Sequence, residues 1–492
     1  MFRALTQLRA ADVPLYQVCD QASGPVILLM AVFSPWAFGS TQTWAIWTMN
    51  FAAYFLGALL LVKLFIRKIK KFPAPRWDAG AISSHPKKLS RQPARSATRG
   101  LAWLTLALLF YCLLHALNAA AAYAPDRLLF LYQPHIGWLP HSFDANRSWF
   151  YFWQYLGLAA AFWSVRDWLL GRTAAEEKKL RHQSETDAPI FPARLRQLVW
   201  LLAVSGLALG LEGIFQRASG AHQLLFVLQP VVNPDGDSQF GTYGYRANAA
   251  QYFNLLWPLC LGVWWWQQGG RTKNFFLPIA AAVMAACPII SSSRGGALIT
   301  AGLLALTALF FLGIEIFCAR DSKKIGNQFV WLVVFLAVVG GLGGYFGWAK
   351  LSPRLQEIGE GFVGREEMFT AAQPMAADYP LFGTGPGTFA TVFQLYRISN
   401  ATYWPEQLHN DWLETRITFG WAGFLLALAA LGCVVTAGFF APRKFAIMAG
   451  LALAGCLIHA RFDFPLQIHS ILFLFLLICA LVLALGVMPR RN

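Results

Sequence analysis

Residues 468–487, IHSILFLFLLICALVLALGV, contain no Asp, Glu, Lys or Arg. A helix rises about 1.5 Å per residue, so a run of this length covers the roughly 30 Å hydrocarbon core of a bilayer. Working back along the chain, further apolar runs lie near 22–40, 43–66, 101–124, 149–170, 197–215, 249–266, 275–290, 297–318, 328–347, 417–440 and 445–460. The whole chain, 1–492, therefore reads as a single all-α, polytopic integral membrane domain of about twelve spans, with no internal repeat. Composition agrees, since 57% of residues are hydrophobic and 13% charged, where a soluble domain carries about 25% charged residues.

The charge is unevenly placed. Lys and Arg number 40 against 24 acids, and ten of the bases fall between Arg67 and Arg99 with Asp78 the only acid. A short basic loop between spans marks the cytoplasmic side. From a cytoplasmic N-terminus, the twelve spans also put inside Arg172 to Arg196, Arg271 with Lys273, Arg320 to Lys324, Arg443 with Lys444, and Arg490 with Arg491. Both termini are thus expected in the cytoplasm. The basic excess reports topology and not nucleic acid, because the loop has Trp77 as its one aromatic beyond Phe72 and carries no binding motif. Met1 to Gln21 lacks a short apolar region with a cleavage site, so no cleaved signal peptide is expected. The eight cysteines lie mostly in apolar runs without a CxxC pair, as small packing residues do.

The opposite segments differ in kind. The longest, 348–414, joins spans nine and ten and is expected in the periplasm; its aromatics and PLFGTGPGTF (380–389) argue for order. Four polar clusters reach this face from distant parts of the chain: Arg246 in GYRANAAQYFNLLWPL (244–259), Arg294 in SSSRGGALIT (291–300), Arg365 with His409, and Arg461 with Asp463 in IHARFDFPLQ (458–467).

Arg294 stands where two apolar runs meet. One reading is an interfacial side chain reaching for headgroups; the other is a fixed cation facing a cavity, which the small Ser and Gly neighbours favour. Arg246 opens a span, so it is either an ordinary helix-end residue or a cation reinforced by the helix dipole. With Arg365 they would form a cluster matched to a diphosphate through the guanidinium fork. His409 precedes an apolar run; on a helix it would share a face with Trp412, Leu413 and Arg416. Asn410 and Asp411 are suited to capping that helix, leaving His409 as the general-base candidate on this side. Its plain alternative is a structural His. His459 and His469 either join this site or line helix ends. Asp235 and Asp237 form a D-x-D, a spacing able to hold a metal, but NPDGDS also reads as an Asx turn. No HExxH, P-loop, Rossmann fingerprint or GxSxG occurs, and neither metal nor cofactor is expected.

The order of RANAAQYFNLLWPL, SSSRGGALIT, GREEMFTAAQPMAADYPLFGTGPGTFATVFQLYR, LHNDWLETRITFGWAGF and IHARFDFPLQ resembles the bacterial O-antigen ligase and polymerase superfamily over residues 198–487. The resemblance implies an inner-membrane glycosyltransferase taking glycan from undecaprenyl diphosphate at the periplasmic face. The implied acceptor is a hydroxyl of the lipid A core, of a growing O-antigen or exopolysaccharide chain, or of a protein. It also implies that Arg246 and Arg294 hold the donor diphosphate and that His409 activates the acceptor; Arg365 and Asp463 match less firmly. One departure is Thr418, where family loops often place an acid two residues before the Gly; Glu414 is a possible replacement. Membrane lipids are the other expected partners. The rival from a different class is a transporter, specifically a lipid-linked glycan flippase, which would also need arginines for a diphosphate.

Overall fold

The computed structural model describes residues 12–78, 92–182, 190–230, 237–267, 275–318, 322–398 and 404–488. Its elements run α1 Asp12–Trp36, α2 Thr43–Ile69, α3 Gln92–Leu117, β1 Ala121–Ala124, β2 Leu129–Tyr132, α4 Ala145–Leu170, α5 Ala174–His182, α6 Ala193–Ser219, α7 Arg246–Gln267 and α8 Phe276–Ile290. They continue as α9 Arg294–Cys318, α10 Ser322–Gln356, α11 Ile358–Asp378, α12 Phe389–Val392, α13 Asp411–Gly438, α14 Arg443–His459 and α15 His469–Val487. Each of the twelve expected spans falls on one of these helices, and the all-α polytopic reading holds. Among the described residues eight helices are long and apolar enough to cross a membrane on length and composition alone.

The stretch that opened the analysis, α15, is the most apolar of these candidate spans and also lies deepest, with 89% of its apolar window buried inside the protein. It is apolar all round because it contacts helices and not lipid. The second interior helix, α7, is polar where it meets α9. Asn254 donates to the Gly296 carbonyl at 3.0 Å and accepts from Thr300 Oγ1 at 2.7 Å. Small residues make this approach possible: a Cβ on Gly296 would stand 2.3 Å from that of Ala250. Part of the Ser-Gly run at 291–296 therefore serves helix packing.

Two corrections concern boundaries. The expected third span, 101–124, ends at Leu117, and residues 121–124 instead pair antiparallel with 129–132. Asn118 makes the break: its side chain donates to the Ile136 and Pro140 carbonyls and accepts from Ile136 N. Conversely, the expected ninth span continues as helix to Gln356, well into the long segment, which is itself largely helical through α11.

That segment is anchored in a break of α13. Gly420 has φ +58°, which opens the helix. Residues 380–385 fill the gap, with Thr384 N and Gly385 N donating to Ile417 and Thr418 carbonyls, and Trp421 N and Ala422 N donating to Pro380 and Leu381 carbonyls. The chains cross so closely that a Cβ on Gly420 would lie 2.3 Å from the Leu381 oxygen. The tyrosine hydroxyl of Tyr111, on α3, lies 2.8 Å from both Phe382 and Phe419 carbonyls and ties the crossing to the bundle.

Cross-links between connections define two ends. At one, Thr242 donates to Pro35 O, Tyr243 meets Ser470, and Asp411 N donates to Ala460 O. At the other, Trp77 N donates to Leu170 O and Arg194 to Trp168 O. There Asp167 binds Lys63 at 2.7 Å and Arg67 and Arg76 at 2.5 Å each, while Asp20 binds Lys63 at 3.1 Å and also Arg194. Four helices, α1, α2, α4 and α6, are joined by this buried network.

Candidate functional site

At the first end, α13 begins with Asn410, whose side chain accepts from Leu413 N at 3.2 Å as the helix cap. The cap places His409 just outside the helix at φ +58°, a left-handed conformation that a non-Gly residue adopts at some cost. His409 accordingly shares no helix face with Trp412, Leu413 and Arg416. Trp412 turns to the Leu457 carbonyl and Arg416 to that of Ala376. Glu414 holds the strained turn from the other side by accepting from Leu408 N at 2.8 Å. This carboxylate is engaged in shaping the backbone before His409.

His409 Nδ1 lies 3.0 Å from Asp463 Oδ1. A carboxylate only accepts, so Nδ1 carries a proton, and in the neutral ring Nε2 holds the lone pair. The pair bridges 54 positions of chain because Asp411 fastens the start of α13 to the α14–α15 connection. Its N–H donates to Ala460 O, and its Oδ2 accepts from Leu466 N at 2.8 Å. Burial alone would raise the Asp463 carboxyl. The hydrogen bond from His409 and the charges of His409, Arg365 and His459 outweigh it and hold Asp463 below the usual carboxylate range.

Arg365 completes this group, donating to the Phe462 carbonyl at 2.5 Å and to Tyr245 Oη at 3.2 Å, with Asp463 Oδ2 3.6 Å away. Tyr245 in turn donates to Asp463 Oδ2 at 3.2 Å and stacks on Phe464. Burial first, then the Asp463 charge, push the Tyr245 hydroxyl far above its ordinary range, so it remains a donor.

Arg246 and Arg294 begin α7 and α9, as their places before apolar runs suggested. Arg246 donates to the Asp237 carbonyl at 2.6 Å, and Arg294 to that of Glu357 at 2.8 Å. Arg354 of α10 is within electrostatic reach of both, and its Nε is buried without a partner among the described residues. Asp237 is ion-paired with Arg217 at 3.1 Å and Lys350 at 2.9 Å; Asp235 lies outside the described residues. Among the described residues no group of three or more His, Cys, Asp or Glu is arranged to hold a metal ion.

The structure thus brings together His409, Asp463, Arg365, Asn410 and Asp411, with Arg246 and Arg294 at neighbouring helix starts. Arg461 is not drawn in; it is exposed and its guanidinium lies over the Phe462 ring. His459 is buried against Gln251, 2.9 Å from Nδ1 to Oε1. Tyr245 and Arg354 escaped sequence reasoning as site members. Tyr245 is adjacent to Arg246, and that adjacency was the available signal; for Arg354, one base in a long segment, there was none.

The arrangement offers a base beside guanidiniums whose charge is largely uncompensated. Such a set can take a proton from a hydroxyl while stabilising an anionic group. Residues 279–428 match a protein-family model described as O-antigen ligase. No curated protein matches the chain. The match supports a likeness of this region to the O-antigen ligase and polymerase superfamily, and the apolar helices fit a multi-pass membrane protein. Arg294, Arg365 and His409 lie inside the matched residues, Arg246 and Asp463 outside.

Proposed function

From that family match, we propose that this chain is an inner-membrane glycosyltransferase. It would move a glycan from undecaprenyl diphosphate to a hydroxyl of the lipid A core, at the periplasmic end of the bundle. The His409–Asp463 pair facing a set of carbonyl-held arginines is the observation that carries the reading. His409 Nε2 takes the acceptor hydroxyl proton as the oxygen attacks the anomeric carbon. The bond from that carbon to the diphosphate breaks, and Arg246, Arg294, Arg354 and Arg365 receive the leaving charge. One displacement inverts the anomeric configuration, and the arginines meet the charge requirement without a divalent ion.

The basic loops at the other end favour placing this one in the periplasm. No nucleotide sugar is available there, so the donor arrives already activated on its lipid. The test is reconstitution of the full chain with lipid-linked donor, a chelator throughout, and separately a lipid A core, a glycan chain and a protein acceptor. Transfer to the lipid A core is expected. Extension of the glycan chain would make the protein a polymerase, and modification of the protein acceptor an oligosaccharyltransferase. Translocated donor with no transfer would replace the enzyme by a flippase.

A further inference from the structure

The end of the bundle opposite His409 holds a second polar cavity of about 530 Å³. It opens where the end of α2, the first turns of α3 and the end of α4 meet. Arg67, Arg76, Arg95, Arg99 and Arg166 line it, and Asp78 is the only carboxylate among the lining residues. The local carboxylates are already engaged. Asp78 is held by Arg76 at 2.9 and 3.2 Å, and neighbouring Asp167 is shared by Lys63, Arg67 and Arg76.

Among the described residues Arg95 donates to the Asp78 carbonyl, at 3.0 Å. Arg99 and Arg166 have no carboxylate within ion-pairing distance among the described residues. Among the described residues Arg166 Nε is buried without a hydrogen-bond acceptor; its guanidinium lies over Trp163, against the like charges of Arg76 and Arg67 and within electrostatic reach of Asp78 and Asp167.

Guanidiniums crowded together and partly desolvated are costly unless an anion joins them. Arginine forks suit phosphate oxygens, and Arg95, Thr98 and Arg99 bring three polar side chains to the cavity from the first turns of α3. The remaining wall is apolar, formed by Phe72, Pro73, Ala74 and Val487. A site that is half guanidinium and half hydrocarbon, between spanning helices on the basic side, has the character of lipid headgroup pockets. We infer that this cavity binds the phosphate of an anionic phospholipid headgroup and so ties α2, α3 and α4 together. The inference does not depend on the activity proposed at the other end.

The test uses the purified, delipidated full chain in neutral detergent. It is titrated with dioleoyl-phosphatidylglycerol, dioleoyl-phosphatidylcholine or inorganic phosphate while Tm and bound lipid by native mass spectrometry are followed. Phosphatidylglycerol is expected to raise Tm saturably and to be retained, with phosphatidylcholine ineffective. Arg166→Gln and Arg99→Gln should each weaken that binding by about fivefold. Arg99 is exposed, so its variant carries the test if Arg166→Gln does not fold. Equal response to the two lipids in the unsubstituted chain, or unchanged binding in Arg99→Gln, overturns the inference. Inorganic phosphate matching phosphatidylglycerol at equal concentration would assign the site to a soluble phosphate and overturn the lipid.

Discussion

The arginines near His409 and those bound to Asp20 and Asp167 use their charge in opposite ways. Near His409, Arg246, Arg294 and Arg365 donate to the carbonyls of Asp237, Glu357 and Phe462; among the described residues Arg365 is the one of the three with a carboxylate at ion-pairing distance, Asp463 at 3.6 Å. At the other end Arg67, Arg76 and Arg194 are bound directly to Asp167 and Asp20. A carbonyl orients a guanidinium and leaves its charge available; a carboxylate cancels it. The first end is therefore built to receive an anion, and the charges lying inside the bundle at the second hold helices together. Both kinds of arginine sit at the edge of an apolar run, so hydropathy alone does not separate them.

The contrast breaks first at His409. His409→Ala should lower transfer about 1,000-fold, as loss of a general base does, while Tm and elution volume stay as they were; an active variant would remove His409 from the chemistry. The reverse holds at the ion-paired end. Asp167→Asn leaves Lys63, Arg67 and Arg76 short of a partner and should cost about 3 kcal/mol of stability, with activity per folded molecule unchanged. Thermal unfolding in detergent reads the first quantity, and a turnover assay normalised to folded protein reads the second.

Arg294→Lys keeps the charge and loses the fork, and a fall in turnover of about 100-fold is expected with normal membrane insertion. Turnover at the unsubstituted rate would return Arg294 to the status of an interfacial side chain. Asp463→Asn probes the bridge. A carboxyl held low in the fold stabilises fully above the ordinary Asp range near 3.9, and that contribution is lost as pH falls through the lowered folded value. The variant should be about 1 kcal/mol less stable at pH 7 and should converge on the unsubstituted protein as pH falls through that lowered value. A difference that persists in acid would assign the loss to packing. The smallest effect belongs to Arg461→Ala, which should stay within about twofold in activity, as exposed positions generally do. A large loss there would place in the site a side chain that the geometry leaves outside.

Much of this site could be read from residues near one another in the chain. Arg246 and Arg294 announce themselves because a charged residue followed by a long apolar run has to begin a helix. Asn410 as cap followed from its residue type and place. The helical face expected for His409 failed for a related reason: i+3 and i+4 spacing governs only residues inside a helix, and the cap leaves His409 one position outside. Asp463, Tyr245 and Arg354 were beyond local reading as partners, because no periodicity connects positions tens to more than two hundred residues apart.

By itself the sequence determined that this chain is a bundle of membrane helices, where those helices begin and end to within a few turns, and which end is the more basic. Apolar length and charge position are local properties, and a bilayer enforces them directly. Only the tertiary structure decided which arginines keep their charge and which lose it to Asp20 and Asp167. It also decided that the Gly-rich run at 380–389 closes the break at Gly420, and that His409 meets Asp463. Those outcomes depend on hydrogen bonds that reach about 3 Å between side chains and backbone carried by different helices, a distance that chain order does not encode.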